Sequence, residues 1–121
     1  MRLTFLISML FLKSAFANVA WGSSLFEDHD LNIENVMAFY STDLAFAALK
    51  NDKTVVTWGH SDYGGDSSSV AADLTNVRII YSNELAFAAL KNDKTVVTWG
   101  HSDYGGDSSS VAGTLTDVTA I

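Results

Sequence analysis

Residues 44–71 read LAFAALKNDKTVVTWGHSDYGGDSSSVA, and residues 85–112 repeat them letter for letter. The offset is 41 residues, so Trp58 answers to Trp99, His60 to His101 and Tyr63 to Tyr104. Inside the unit, Leu44–Leu49 is a short apolar run, Lys50-Asn51-Asp52-Lys53 is a polar turn, and Thr54–Trp58 is rich in β-branched and aromatic residues. Two such runs about a tight polar turn predict a β-hairpin. Val36–Tyr40 and Val77–Tyr81 predict a further strand ahead of each hairpin. Gly59–Ser69 reads as a loop, because Gly64-Gly65 and the serine run favour turns over helix. Val70–Leu74 fits either a short outer strand or a helical turn. Each unit is therefore a sheet of three or four antiparallel strands. A period of ~40–45 residues with this content indicates blades rather than helix pairs.

The similarity runs past the identical block. Tyr40-Ser41 matches Tyr81-Ser82, and Leu74 and Val77 match Leu115 and Val118. Residues 36–76 and 77–121 are thus two tandem repeats of an all-β, propeller-like chain. Residues 18–35 read as a partial repeat or linker, since Asn18-Val19-Ala20-Trp21-Gly22 is similar to Val55–Gly59. Residues 1–17 have the order of a secretory signal, predicted to be helical. Arg2 precedes an apolar run over Leu3–Leu12, and Ala15-Phe16-Ala17 supplies the small-x-small site for cleavage after Ala17. That run is about half the ~20 residues a spanning helix needs, which argues against stable membrane insertion. A secreted, periplasmic or cell-surface protein is expected.

Composition excludes several function classes. Hydrophobic residues make up 48% of the 121, enough for a core. Seven Lys+Arg against fourteen Asp+Glu give a net charge of −7, which repels a phosphate backbone and argues against nucleic acid. The absence of cysteine removes disulfides, thiol nucleophiles and thiolate metal sites.

Val77, Ile80, the Leu85–Leu90 run, its polar turn, Val96-Val97-Thr98-Trp99-Gly100 and Tyr104-Gly105 together resemble the repeat of the regulator of chromosome condensation family. The resemblance covers residues 36–121 and implies a β-propeller blade per unit. Lys53 and Lys94 stand where that family usually has a turn glycine, and Asp66-Ser67 replaces its Leu-Gly after the loop glycine. Ser41-Thr42-Asp43 and Ser82-Asn83-Glu84 lack its usual Gly-His. The nucleotide-exchange activity of the founding member needs a seven-bladed ring and a nuclear partner, so it is not carried over to an exported chain of two repeats.

Two blades make an incomplete propeller. The apolar residues Phe46, Leu49, Val55, Phe87, Leu90 and Val96 are expected to line the faces through which blades stack. Burying a large side chain is worth ~1.5–3 kcal/mol, so open faces drive association. Self-association into a ring, or membership of a longer propeller or surface protein, is expected.

The chemistry-bearing residues cluster in the repeated loop. His60-Ser61-Asp62 and Gly65-Asp66-Ser67 contain the ingredients of a serine hydrolase, with Ser67 and Ser108 as nucleophiles. The Gly-x-Ser-x-Gly elbow is absent, and the bland reading is a solvated, serine-capped loop, so no enzyme activity is expected. Asp62, Asp66, Asp103 and Asp107 are candidate calcium ligands, set against an acidic solvated loop that holds no cofactor. Tyr63 and Tyr104 offer a platform for protein or glycan, with His60, His101, Asp62 and Asp103 beside them. Trp58 and Trp99 read as core residues locking each hairpin to the next blade. Binding of protein or glycan through the repeated loops is the expected function, and a structural self-assembling repeat is the alternative.

Overall fold

Short apolar and β-branched runs build two separate three-stranded antiparallel sheets in the computed structural model, which describes residues 34–121. The first sheet has the order β1 (Val36–Ser41), β2 (Ala45–Lys50), β3 (Val55–Gly59). The second has the order β4 (Val77–Ser82), β5 (Ala86–Lys91), β6 (Val96–Gly100). No barrel closes among the described residues, and the two sheets stand as propeller-like blades of an incomplete propeller. The segment after the first loop, left open between strand and helical turn, is a 3-10 turn over Ser68–Asp73, so each blade stops at three strands. The assignments to residues 1–17 and 18–33 lie outside the described residues. Among the described residues no helix is long and apolar enough to cross a membrane.

The register explains why Ala45–Leu49 is apolar throughout. Phe46 pairs with Trp58 and Ala48 with Val56, which places one side-chain set on one face of the sheet. Ala45, Ala47 and Leu49 occupy the other face, because successive strand residues point to opposite sides. That second face packs on the next blade: Ala45, Ala47 and Leu49 share a buried cluster with Leu74, Val77, Ile80, Phe87, Ala89 and Trp99. The central strand is thus buried on both sides, like a strand in a covered sheet. Of the residues expected to line the stacking faces, Leu49 and Phe87 belong to this shared cluster. Phe46, Leu49, Phe87 and Leu90 are all buried, while Val55 and Val96 are half-buried.

Backbone bonds tie blade to blade. The Asp43 N–H donates to Glu84 O at 2.9 Å, and the Val77 N–H donates to Lys53 O at 3.0 Å. The Val118 N–H repeats the second bond to Lys94 O at 3.0 Å, so Val118 follows the second hairpin as Val77 follows the first. The Trp99 indole Nε1–H, buried, donates to Gly64 O at 3.1 Å.

The hairpin turns show why Lys can replace glycine, and at what cost. The Lys53 N–H donates to Lys50 O and the Lys50 N–H to Thr54 O, both at 2.9 Å, closing a three-residue loop. Its last residue must turn left-handed, and Lys53 and Lys94 do so at φ 69° and 67°. A non-glycine residue there costs ~1–2 kcal/mol of backbone energy, partly offset by glycine's greater unfolded-state entropy. The ion pair of Lys94 with Asp117 at 3.9 Å is exposed at both ends and adds little. Lys94→Gly is therefore expected to raise stability by about 0.5–1 kcal/mol, read from the urea midpoint. A lower midpoint would mean that the turn is held by the lysine side chain.

Candidate functional site

The repeated loop is shaped by its Trp-Gly start. Gly59 and Gly100 lie at φ 107° and 109°, and a Cβ on either would stand 2.6–2.8 Å from the backbone of the strand alongside, at Leu44–Ala45 or Leu85–Ala86. The chain leaves β3 there and runs through a 3-10 turn at Ser61–Tyr63, and its copy leaves β6 for the turn at Ser102–Tyr104. Each turn is pinned to the sheet by a residue three positions ahead of the central strand. The Thr42 hydroxyl donates to Tyr63 O at 2.9 Å, and the Asn83 Nδ2 amide donates to Tyr104 O at 2.8 Å. The Thr57 hydroxyl meets Gly65 O at 3.1 Å and the Ser67 hydroxyl at 2.9 Å; Thr98 repeats this with Gly106 and Ser108.

Ser67 and Ser108 are thereby tied to threonines, while His60 and His101 pack edge-on against Tyr63 and Tyr104 at 4.9 and 5.3 Å. Among the described residues no hydrogen bond joins a histidine to a serine. Asp66 and Asp107 each accept the N–H two residues on, from Ser68 and Ser109, at 2.9 Å. Asp62 and Asp103 are exposed. Among the described residues no three His, Asp or Glu side chains gather into a metal-binding group.

Asp52 and Asp93 act like Asp66 and Asp107. Each accepts from the hydroxyl of Thr54 or Thr95 at 2.6 Å and from its N–H at 3.0 Å. The hydroxyls of Thr54, Ser68, Thr95 and Ser109 first, and then their N–H groups, hold the carboxyls of Asp52, Asp66, Asp93 and Asp107 below the usual value of 3.8. A depressed folded-state pKa gives stability that is present above the unfolded value and is lost as pH falls through the folded one. The urea midpoint should therefore hold above about pH 5 and fall below about pH 4, with a shallower fall in Asp52→Asn/Asp93→Asn. An acid fall of unchanged depth in that variant would place its cause elsewhere.

The two loops have the same sequence and different surroundings. Tyr63 is half-buried against the shared core, while Tyr104 is 51% exposed. Gly64 lies under the Phe87 ring, whereas a Cβ on Gly105 would meet nothing within 4 Å. The first loop is an element of the blade–blade contact; the second faces outward. Beside it lies a groove of about 340 Å³, lined among others by Tyr81, Ala86, Ala88, Tyr104, Gly105 and Ile121. A second groove, of about 510 Å³, runs between the first loop and β6, past Asp66, Asp73, Val97 and Asp107.

Among the described residues the candidates thus come together as His with Tyr, as the Asp103 N–H donating to His101 Nδ1 at 3.3 Å, and as Asp66 and Asp107 along one groove. Ala88 and Ile121 were not singled out in the sequence, and Gly105 only as part of the Tyr-Gly loop. The signal for them was the offset itself: Ala47, Gly64 and Ile80 contact the neighbouring blade, and their counterparts have no such neighbour. No protein-family model matches the chain, and no curated protein matches it in sequence.

Proposed function

We propose that this chain is a non-catalytic β-repeat module that binds protein through the open end of its second blade. The observation that supports it is the contrast between identical loops: one is covered by a blade, and the other leaves an apolar groove beside a half-exposed Tyr104. Apolar clefts flanked by an aromatic residue suit a protein anchor. A glycan needs many convergent hydrogen-bonding groups, and here the Asn83 amide is already used by Tyr104 O, Leu85 N and Ala86 N. The order of charge, apolar run and small residues in positions 1–17 supports export and work outside the cytoplasm.

Peptides selected from a displayed library against the full chain test this reading. Those that bind should compete for one site and lose about tenfold or more in affinity for Ala88→Arg, while Asp66→Ala in the other groove leaves them unchanged. Equal binding to Ala88→Arg would overturn it. Signals on a glycan array that vanish in Tyr104→Ala, without peptide binders, would replace protein by sugar.

A further inference from the structure

The groove of about 510 Å³ between the first loop and β6 has both of its walls in this chain. All five residues of β6, Val96–Gly100, line it. Successive strand residues point to opposite faces, so a groove lying over one face would meet only every second residue. This groove therefore runs along the outer edge of the strand. β6 is the last strand of its sheet, and among the described residues no backbone bond reaches Val96–Trp99 from outside that sheet. The chain turns away at Gly100 into the 3-10 turn Ser102–Tyr104 and does not return as a fourth strand. An edge of this kind offers a row of main-chain donors and acceptors to another extended segment.

The walls flank that edge on opposite faces of the sheet. Val97 and Val70 both pack against the shared core, so the Val97 face carries the first loop, with Asp66 and Asp73. Thr98 points to the other face, where its hydroxyl meets Gly106 O and the Ser108 hydroxyl; that face carries the second loop, with Asp107. All three carboxylates are exposed, and Asp73 has no hydrogen-bond or ion-pair partner among the described residues. No Lys, Arg or His among the described residues lines the groove. We propose that a lysine- or arginine-rich extended segment of a partner protein adds to β6 as a fourth strand of the second blade. Its main chain pairs with the open edge, the mode of recognition in which an extended peptide joins a sheet. Its side chains alternate between the faces and meet Asp66 and Asp73 on one wall and Asp107 on the other. The net charge of −7 favours the approach of such a partner. This site is separate from the groove beside Tyr104 and does not rest on it.

The probe is a capped eight-residue peptide of paired lysines and paired threonines, which sets lysine on both faces of a strand. It should bind the full-length chain at low ionic strength and lose about tenfold or more in affinity for Asp66→Asn/Asp73→Asn/Asp107→Asn. Asparagine keeps an oxygen for the Ser68 and Ser109 N–H groups that the aspartates now accept, so the loops stay closed. The same peptide N-methylated at its four central residues keeps its charge, loses its main-chain donors, and should bind about tenfold more weakly. Ala88→Arg should leave binding unchanged. In about 1 M salt, where charges are screened beyond ~3 Å, binding should vanish; selecting library peptides at that salt keeps this site out of the test of the groove beside Tyr104. Equal binding of the N-methylated peptide would overturn pairing at the edge. Equal binding to the triple variant would place the peptide elsewhere, and an unmethylated peptide that does not bind would also sink the proposal. Each of these results leaves the reading of the Tyr104 groove untouched.

Discussion

Phe87→Ala is expected to cost the fold about 3–5 kcal/mol, the range for removing a fully buried aromatic ring. Phe87 is 1% exposed and stacks on Trp99 with ring centroids 5.1 Å apart. Its edge lies against Gly64 in the first loop, so the ring belongs to both blades at once. Removing it opens a cavity at the contact and takes away the wall against which the Trp99 indole is held for Gly64 O. A loss of that size is a large part of the ~5–15 kcal/mol that stabilises an ordinary domain. Urea unfolding followed at the tryptophans should show the midpoint collapse. Tyr104→Ala, which removes a half-exposed ring, should stay within about 0.5 kcal/mol. Comparable losses in the two variants would mean that the blades do not pack through Phe87.

The second large effect separates two glycines of identical local sequence. Gly64 and Gly105 lie at φ 97° and 94°, so alanine brings the same left-handed backbone penalty of ~1–2 kcal/mol to both. Only at Gly64 does the new Cβ also stand 2.6 Å from the Phe87 ring, with Trp99 Nε1 at 3.4 Å. Gly64→Ala is thus expected to cost about 2–4 kcal/mol, and Gly105→Ala about half as much. The comparison is made at concentrations where the chain is monomeric. The difference between the two values measures the blade–blade contact alone. Equal losses would show that the first loop is as open as the second.

Much of the fold was legible in the sequence because it is set locally. Val36–Tyr40, Leu44–Leu49 and Thr54–Trp58 became β1, β2 and β3 within a residue or so of the expected ends. The polar turn between the last two closed as a hairpin, but its left-handed residue is Lys53, which composition does not announce. Val70–Leu74 was ambiguous because a 3-10 turn leaves no periodic pattern; the Leu74 N–H closes it on Ala71 O at 3.2 Å. For the site, the histidines, serines and aspartates drew notice by their chemistry. In the structure Ser67 is bound to Thr57, and Asp66 caps Ser68. The residues that distinguish the open groove, Ala88 and Ile121, have no chemistry to draw notice.

The sequence by itself determined the strands, the hairpins, the glycine-dependent loop and the pairing of Trp58 with Trp99 across the offset, since alternation, turn chemistry and repetition act over a few residues. Only the tertiary structure decided which of two identical loops is buried and which faces outward. Letters 59–69 and 100–110 are the same, so the difference between a half-buried Tyr63 and an exposed Tyr104 comes wholly from the neighbour. Burial belongs to what a residue packs against, and a repeat carries the same code for its packed copy and its open one.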